Sequence, residues 1–180
     1  MLSYERYASA GAVSHVDAIL NGVARQLGRT LVVQRTTNDA DVPNHLVLPD
    51  FDVLLVHDPP AAPDGALSAL GASFASTLLN FTLGGGVVIV LDGGTGIGQM
   101  PDFASSTGLL AVGAHAPVTS ATPLVVASHL DFVGIGVVSP YGAGANTVSL
   151  TTESNGGNVV YVVELDADAG GLPIVVHKGF

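Results

Sequence analysis

Two short stretches carry the side chains best placed to do chemistry. His57 and Asp58 close the apolar run 52–57 (DVLLVH), and Asp92 closes a second run inside residues 84–98, GGGVVIVLDGGTGIG. An imidazole beside two carboxylates can hold a metal ion or move protons to and from a bound water. Gly93, Gly94 and Thr95 follow Asp92 directly, and a glycine-rich turn after a strand is where α/β proteins keep a phosphate loop or a nucleophile. His57, Asp58, Asp92, Gly93, Gly94 and Thr95 are therefore the candidate ligand-binding residues, provided that the two runs are neighbouring strands.

The spacing narrows what these residues can do. A dinucleotide fingerprint needs G-x-G-x-x-G straight after the first strand; here the glycines at 93, 94, 96 and 98 are misspaced and follow a late strand. Asp92 to Gly96 resembles the D-x-G-T-G phosphate loop of the actin and sugar-kinase superfamily, but that loop opens a much larger domain and this one lies mid-chain. No H-x-H or H-E-x-x-H occurs, and the chain has no cysteine, so thiolate metal sites, disulfides and a Cys nucleophile are excluded. DADAGG at 166–171 lacks the offsets of a calcium loop and reads as a solvated turn. No catalytic residue, metal ligand set or cofactor is expected from these patterns. Tyr141, Asn146 and Glu153 lie in a polar region that could line a sugar-type groove, and His15, His45 and His115 read as surface or packing residues.

Composition limits the partners. The 180 residues carry 5 cationic and 15 acidic side chains, a net charge of −10, so there is no basic stripe for a nucleic-acid backbone. The longest apolar runs have strand length, short of the ~20 residues of a membrane helix, and no membrane insertion is expected. The partner is an unassigned small molecule or protein. Few lysines, many Thr, Ser, Asn and Gly and no Cys lean toward an exported, extracellular bacterial domain.

The elements that must position the candidates follow from periodicity. Leu2–Tyr7 suits a first strand. Val16, Ile19, Leu20, Val23 and Leu27 recur at helical spacing over 15–27, with Ser14 as N-cap and Gly28 as stop. RTLVVQRTT suits a second strand and NDADVPN a polar turn; Asp52–His57 reads as a central parallel strand. Asp64 can cap a helix over 65–83, residues 87–91 form the next strand, and residues 100–107 a short helix. From residue 109 the texture changes to short β-prone pieces at 124–127, 147–151, 159–165 and 173–177, with NGGN at 155–158 as a hairpin turn. Strands alternating with helices predict one α/β domain over 1–180: a flavodoxin-like, doubly wound, mostly parallel sheet with helices on both faces, and antiparallel strands added in the C-terminal third along one edge.

The run ending DVLLV, the helix and then GGGVVIVLDGG resemble the class I glutamine amidotransferase-like superfamily, especially its trehalose-utilisation-type and uncharacterised bacterial branches. TPL at 122–124, SPYGAGANTVSL at 139–150 and LPIVVHKG at 172–179 resemble the later part of that pattern. In the catalytic branches the elbow after this strand carries a cysteine, with an H-x-E pair near the end of the chain. Matching GGG to GGG puts Leu91 or Asp92 at the elbow; His129 is followed by Leu-Asp and His177 by Lys-Gly. The resemblance thus implies the fold without the amidotransferase or protease chemistry, and the expectation is a non-catalytic binding or structural module. The alternatives are a metal- or water-dependent hydrolase using Asp58, Asp92 and His57, and an oligomer-forming structural protein built through the apolar tail 158–180. The chain is expected to be excised from a longer protein that continues past at least one end.

Overall fold

The computed structural model describes residues 1–94, 100–126, 140–152, 158–163 and 173–180. Strands β1 (Leu2–Tyr4), β2 (Gln34–Thr36), β3 (Val53–Val56) and β4 (Val87–Val90) form one parallel sheet in the order β2-β1-β3-β4. This is the order of a flavodoxin-like doubly wound sheet, in which helical crossovers return each strand parallel to the last.

Register decides which side chains share a face. Ser3 pairs with Arg35 and Leu55, and Leu55 with Ile89; Tyr4 pairs with Thr36 and Val56, and Val56 with Val90. Side chains alternate along a strand, so Leu2, Tyr4, Leu54 and Val56 point to one side of the sheet and Ser3 and Leu55 to the other. The first side holds the main core, built with helices α3 (Ala66–Leu83) and α4 (Met100–Ser106). Phe74 of α3 stacks edge-on between Tyr4, at 5.5 Å, and Phe103, at 6.1 Å. The opposite side carries α1 (Ala10–Gln26), which Arg35 reaches through a 2.5 Å bond to Asp17.

By length and composition α3 is apolar enough to cross a membrane. Its Leu67, Leu70, Phe74, Leu78 and Phe81 are instead buried in this core. Gly71 lets α4 approach, because a Cβ there would meet the Phe103 carbonyl oxygen at 2.4 Å.

Local boundaries differ from expectation for identifiable reasons. Helix α1 begins a turn early: Ser9, not Ser14, accepts the Ala12 N–H as N-cap, because Ala10–Val13 continue the helix without a break. Its end is as expected. Gly28, at φ +64°, donates to the Arg25 carbonyl while Arg29 donates to that of Ala24, the paired bonds of a Schellman stop. The residue at the N-cap of α3 is Gly65, in the left-handed region, not Asp64. The expected polar turn after β2 contains a short helix, α2 (Asp41–His45), held by the fully buried Val42.

The C-terminal third is antiparallel. Strands β5 (Val112–Pro117) and β8 (Val148–Thr152) pair, and β6 (Pro123–Val126), β7 (Tyr141–Gly142), β9 (Asn158–Val163) and β10 (Pro173–His177) form a sheet ordered β10-β9-β6-β7. Among the described residues these strands bond to one another, and none pairs with an edge of the parallel sheet. The expected hairpin between β8 and β9 is not formed by the described residues: β8 pairs with β5, and β9 with β6 and β10. The turn itself lies outside the described residues.

Candidate functional site

Strands β3 and β4 are hydrogen-bonded neighbours, so the residues that leave their carboxyl ends start side by side. Val56 pairs with Val90, and alternation then sends Asp58 and Asp92 to the α3 side and His57 to the α1 side. One residue of sequence separates His57 from Asp58. It puts their side chains on opposite faces of the sheet.

On the α3 side Asp58 and Asp92 face each other across Gly93. A Cβ on Gly93 would lie 2.7 Å from Asp58 Oδ2, so any larger residue here would have to displace the Asp58 carboxylate. The Gly93 N–H donates to Asp92 Oδ1 at 3.0 Å, and Asp92 Oδ2 is 2.7 Å from His115 Nδ1, whose ring comes from β5. The two partners are largely enclosed, with side-chain exposures of 16% for His115 and 12% for Asp92. Burial, then the neighbouring Asp92 charge, push the Asp58 carboxyl up to about 6, against the opposing pull of His115 and the Gly93 N–H. Burial also raises Asp92, while its hydrogen bond to His115 and that group's charge pull it back. The outcome is a carboxyl group that changes protonation near neutral pH, set against an Asp–His pair.

The glycine turn is already engaged. Gly94 donates its N–H to the Asn146 carbonyl at 2.9 Å, which ties the turn to the start of β8. Thus Asn146 does reach the candidate site, through its backbone. Tyr141 lies on β7, paired with β6 and 56% exposed. Thr95 and Glu153 lie outside the described residues.

His57 belongs to a different network. It is buried, and its Nε2 sits 3.1 Å from Ser3 Oγ, which donates to Glu5 Oε1 at 2.9 Å. With the serine hydrogen committed to Glu5, His57 Nε2 must carry the proton it shares with Ser3. Arg35 joins Glu5 to Asp17 of α1. Burial lowers the His57 pKa, with Glu5 and Asp17 opposing the shift and Arg35 adding to it. The expected grouping of His57 with Asp58 and Asp92 is therefore corrected: His115 occupies that role, and His57 anchors β3 to β1. Nothing in the spacing pointed to His115, which is 23 residues from Asp92 on a strand that sequence periodicity did not resolve.

No group of three or more His, Asp or Glu side chains suited to a metal ion occurs among the described residues. An open groove of about 750 Å³ lies at the other end of the sheet, lined by Met1, Gln34, Phe51 and Val53 among others, well away from this chemistry.

No protein-family model matches the chain, and no curated protein matches it in sequence. Among solved structures it is similar to a protein of Bacteroides uniformis ATCC 8492 described as ThuA-like, with a TM-score of 0.55 and 14% identity over 97% of this chain and 75% of that one. The likeness is one of fold. It agrees with the α/β flavodoxin-like architecture, a mostly parallel four-stranded sheet with helices and additional antiparallel strands.

Proposed function

We propose that the chain is a non-catalytic member of the amidotransferase-like superfamily, near its trehalose-utilisation branch, serving as a binding or structural module for a small molecule or protein. The carrying observation is the state of the elbow. Its N–H groups at Gly93 and Gly94 are directed to Asp92 and to the Asn146 carbonyl, and no thiol stands at 91 or 92. Acyl-transfer catalysis by the family's route needs a thiol nucleophile and free N–H donors aimed at the developing oxyanion; the chain has no thiol, and the N–H groups of Gly93 and Gly94, among the described residues of this turn, are both engaged. The expected result is no turnover of amide, ester or glycoside substrates above background. Turnover that disappears in Asp92→Ala would overturn the reading.

One observation favours a second reading, a hydrolase acting through bound water. Asp58, titrating at about 6 beside the Asp92–His115 pair, has the protonation behaviour of a general acid. This reading keeps Asp58 and Asp92 and replaces His57 by His115. It requires a pH–rate profile with an arm near 6 that is absent in Asp58→Asn.

A further inference from the structure

The Asp58–Asp92–His115 cluster sits where two sheets meet. Asp58 and Asp92 leave the carboxyl ends of β3 and β4, and His115 belongs to β5. Ser105 of α4 anchors the start of β5: its hydroxyl donates to the Val112 carbonyl at 2.7 Å and accepts the Val112 N–H at 2.9 Å. Beyond that anchor, the hydrogen bonds that tie the β5–β8 pair back to the parallel sheet are, among the described residues, Asp92–His115 at 2.7 Å and Gly94–Asn146 at 2.9 Å.

Donors are scarce at this junction. The two carboxyl groups share one backbone N–H, that of Gly93, and one imidazole. Asn146 brings a backbone carbonyl, which can only accept. A protonated Asp58 adds an O–H to this set, whereas an ionised Asp58 adds a second negative charge and acceptors alone. Asp92 is not free to turn away from that charge, because Gly93 holds its Oδ1 and His115 its Oδ2. Opening the junction admits water to both carboxylates and removes the cost of enclosing two like charges together.

We propose that these three side chains form a pH-sensitive joint, which holds the β5–β8 pair on the parallel sheet while Asp58 keeps its proton and loosens when that proton leaves. No other charged group on the packed elements compensates. Helix α3 has no charged side chain over its length, and Asp64 before it and Asp102 of α4 are both exposed. On β1, Tyr4 and Arg6 are both turned to Asp39. Strand β8 carries no titratable group, His115 is the one on β5, and His57 lies on the opposite side of the sheet with Ser3. Opening frees the Gly94 N–H at the carboxyl ends of β3 and β4, where α/β sheets bind ligands. On the binding-module reading the joint therefore regulates that site, while the joint itself is a property of the fold.

The Gly94 N–H reports the joint directly, since its bond to Asn146 crosses it; the Leu91 N–H, bonded to Val56 at 3.0 Å within the parallel sheet, is the internal control. Amide exchange of both is followed by NMR at pH 5 and pH 7, with no ligand added and with intrinsic exchange rates divided out. Opening that returns Asp58 from about 6 to the ordinary carboxylate value is expected to lower Gly94 protection on the order of tenfold between the two pH values, with Leu91 unchanged. In Asp58→Asn, which keeps the shape of the side chain without its charge, that difference is expected to shrink to roughly twofold or less. Equal Gly94 protection at both pH values in the wild type overturns the proposal. So does a wild-type difference that Asp58→Asn retains in full, which assigns the effect to His115, or a loss of Leu91 protection in step with Gly94, which makes it global unfolding.

Discussion

Above about pH 6 Asp58 carries a charge that its burial and the Asp92 carboxylate both oppose. Its folded-state pKa lies above the ordinary carboxylate value, so the folded protein holds this proton more tightly than the unfolded chain does. Its contribution to stability is then greatest at low pH and declines as pH rises through about 6. Asp58→Asn is expected to flatten that dependence, raising Tm relative to wild type more at pH 8 than at pH 4.5; thermal melts at the two values check it. His115→Ala is expected to act in the opposite direction. It leaves Asp92, a largely enclosed carboxylate, without its 2.7 Å partner, a loss of ~1–3 kcal/mol. Denaturant titration of the pair His115→Ala and Asp92→Asn separates the terms, since the double variant should be less destabilised than the two single effects added together.

Among the elements, α3 and α4 are held at a separation that only glycine permits. Gly71→Ala would drive a methyl group into the Phe103 carbonyl oxygen and the Ser106 Cβ, at 2.4 and 3.0 Å. Backbone cannot yield as a side chain end can, so the expected cost is ~1–3 kcal/mol or more despite the better helix propensity of alanine. Phe74→Ala removes the ring that joins Tyr4 of β1 to Phe103 of α4 and is expected to cost ~3–5 kcal/mol. Comparing the two by chemical denaturation distinguishes overpacking from a cavity, because Gly71→Ala should be partly relieved by shortening its neighbour in Ser106→Gly and Phe74→Ala should not.

At the level of the whole molecule the apolar burial is unevenly shared. The core around the parallel sheet gathers Leu2, Tyr4, Leu54, Val56 and the inner faces of α3 and α4, whereas the cluster on the antiparallel sheet, among the described residues, consists of Leu124 and Ala143 with Val118 and Ile174 against them. Regions with little buried apolar surface open at lower free energy. Hydrogen exchange is therefore expected to be faster in β6 and β10 than in β1 and β3. The Asp92–His115 and Gly94–Asn146 bonds join the parallel sheet to the β5–β8 pair. In His115→Ala, exchange in β5 and β8 is expected to increase while β1 and β3 stay protected.

Much of this architecture is dictated by local sequence. The run 52–57, the apolar ridge of α3, the glycine stop at Gly28 and the 173–177 strand each follow from periodicity or backbone chemistry that a short window contains. So does the absence of a thiol at the elbow. Tertiary structure decided the rest, and the reason is the same in each case: the deciding contact lies far away in the chain. Strand register sends His57 and Asp58 to opposite faces, although adjacency in the sequence suggested a single site. Burial of Val42 turns a polar stretch into α2. His115 becomes the partner of Asp92 because β5 brings it there, across 23 residues that carry no spacing rule. Pairing of β8 with β5 instead of β9 is likewise a choice among distant strands, and two-residue alternation fixes which side chains share a face but not which strand lies next door.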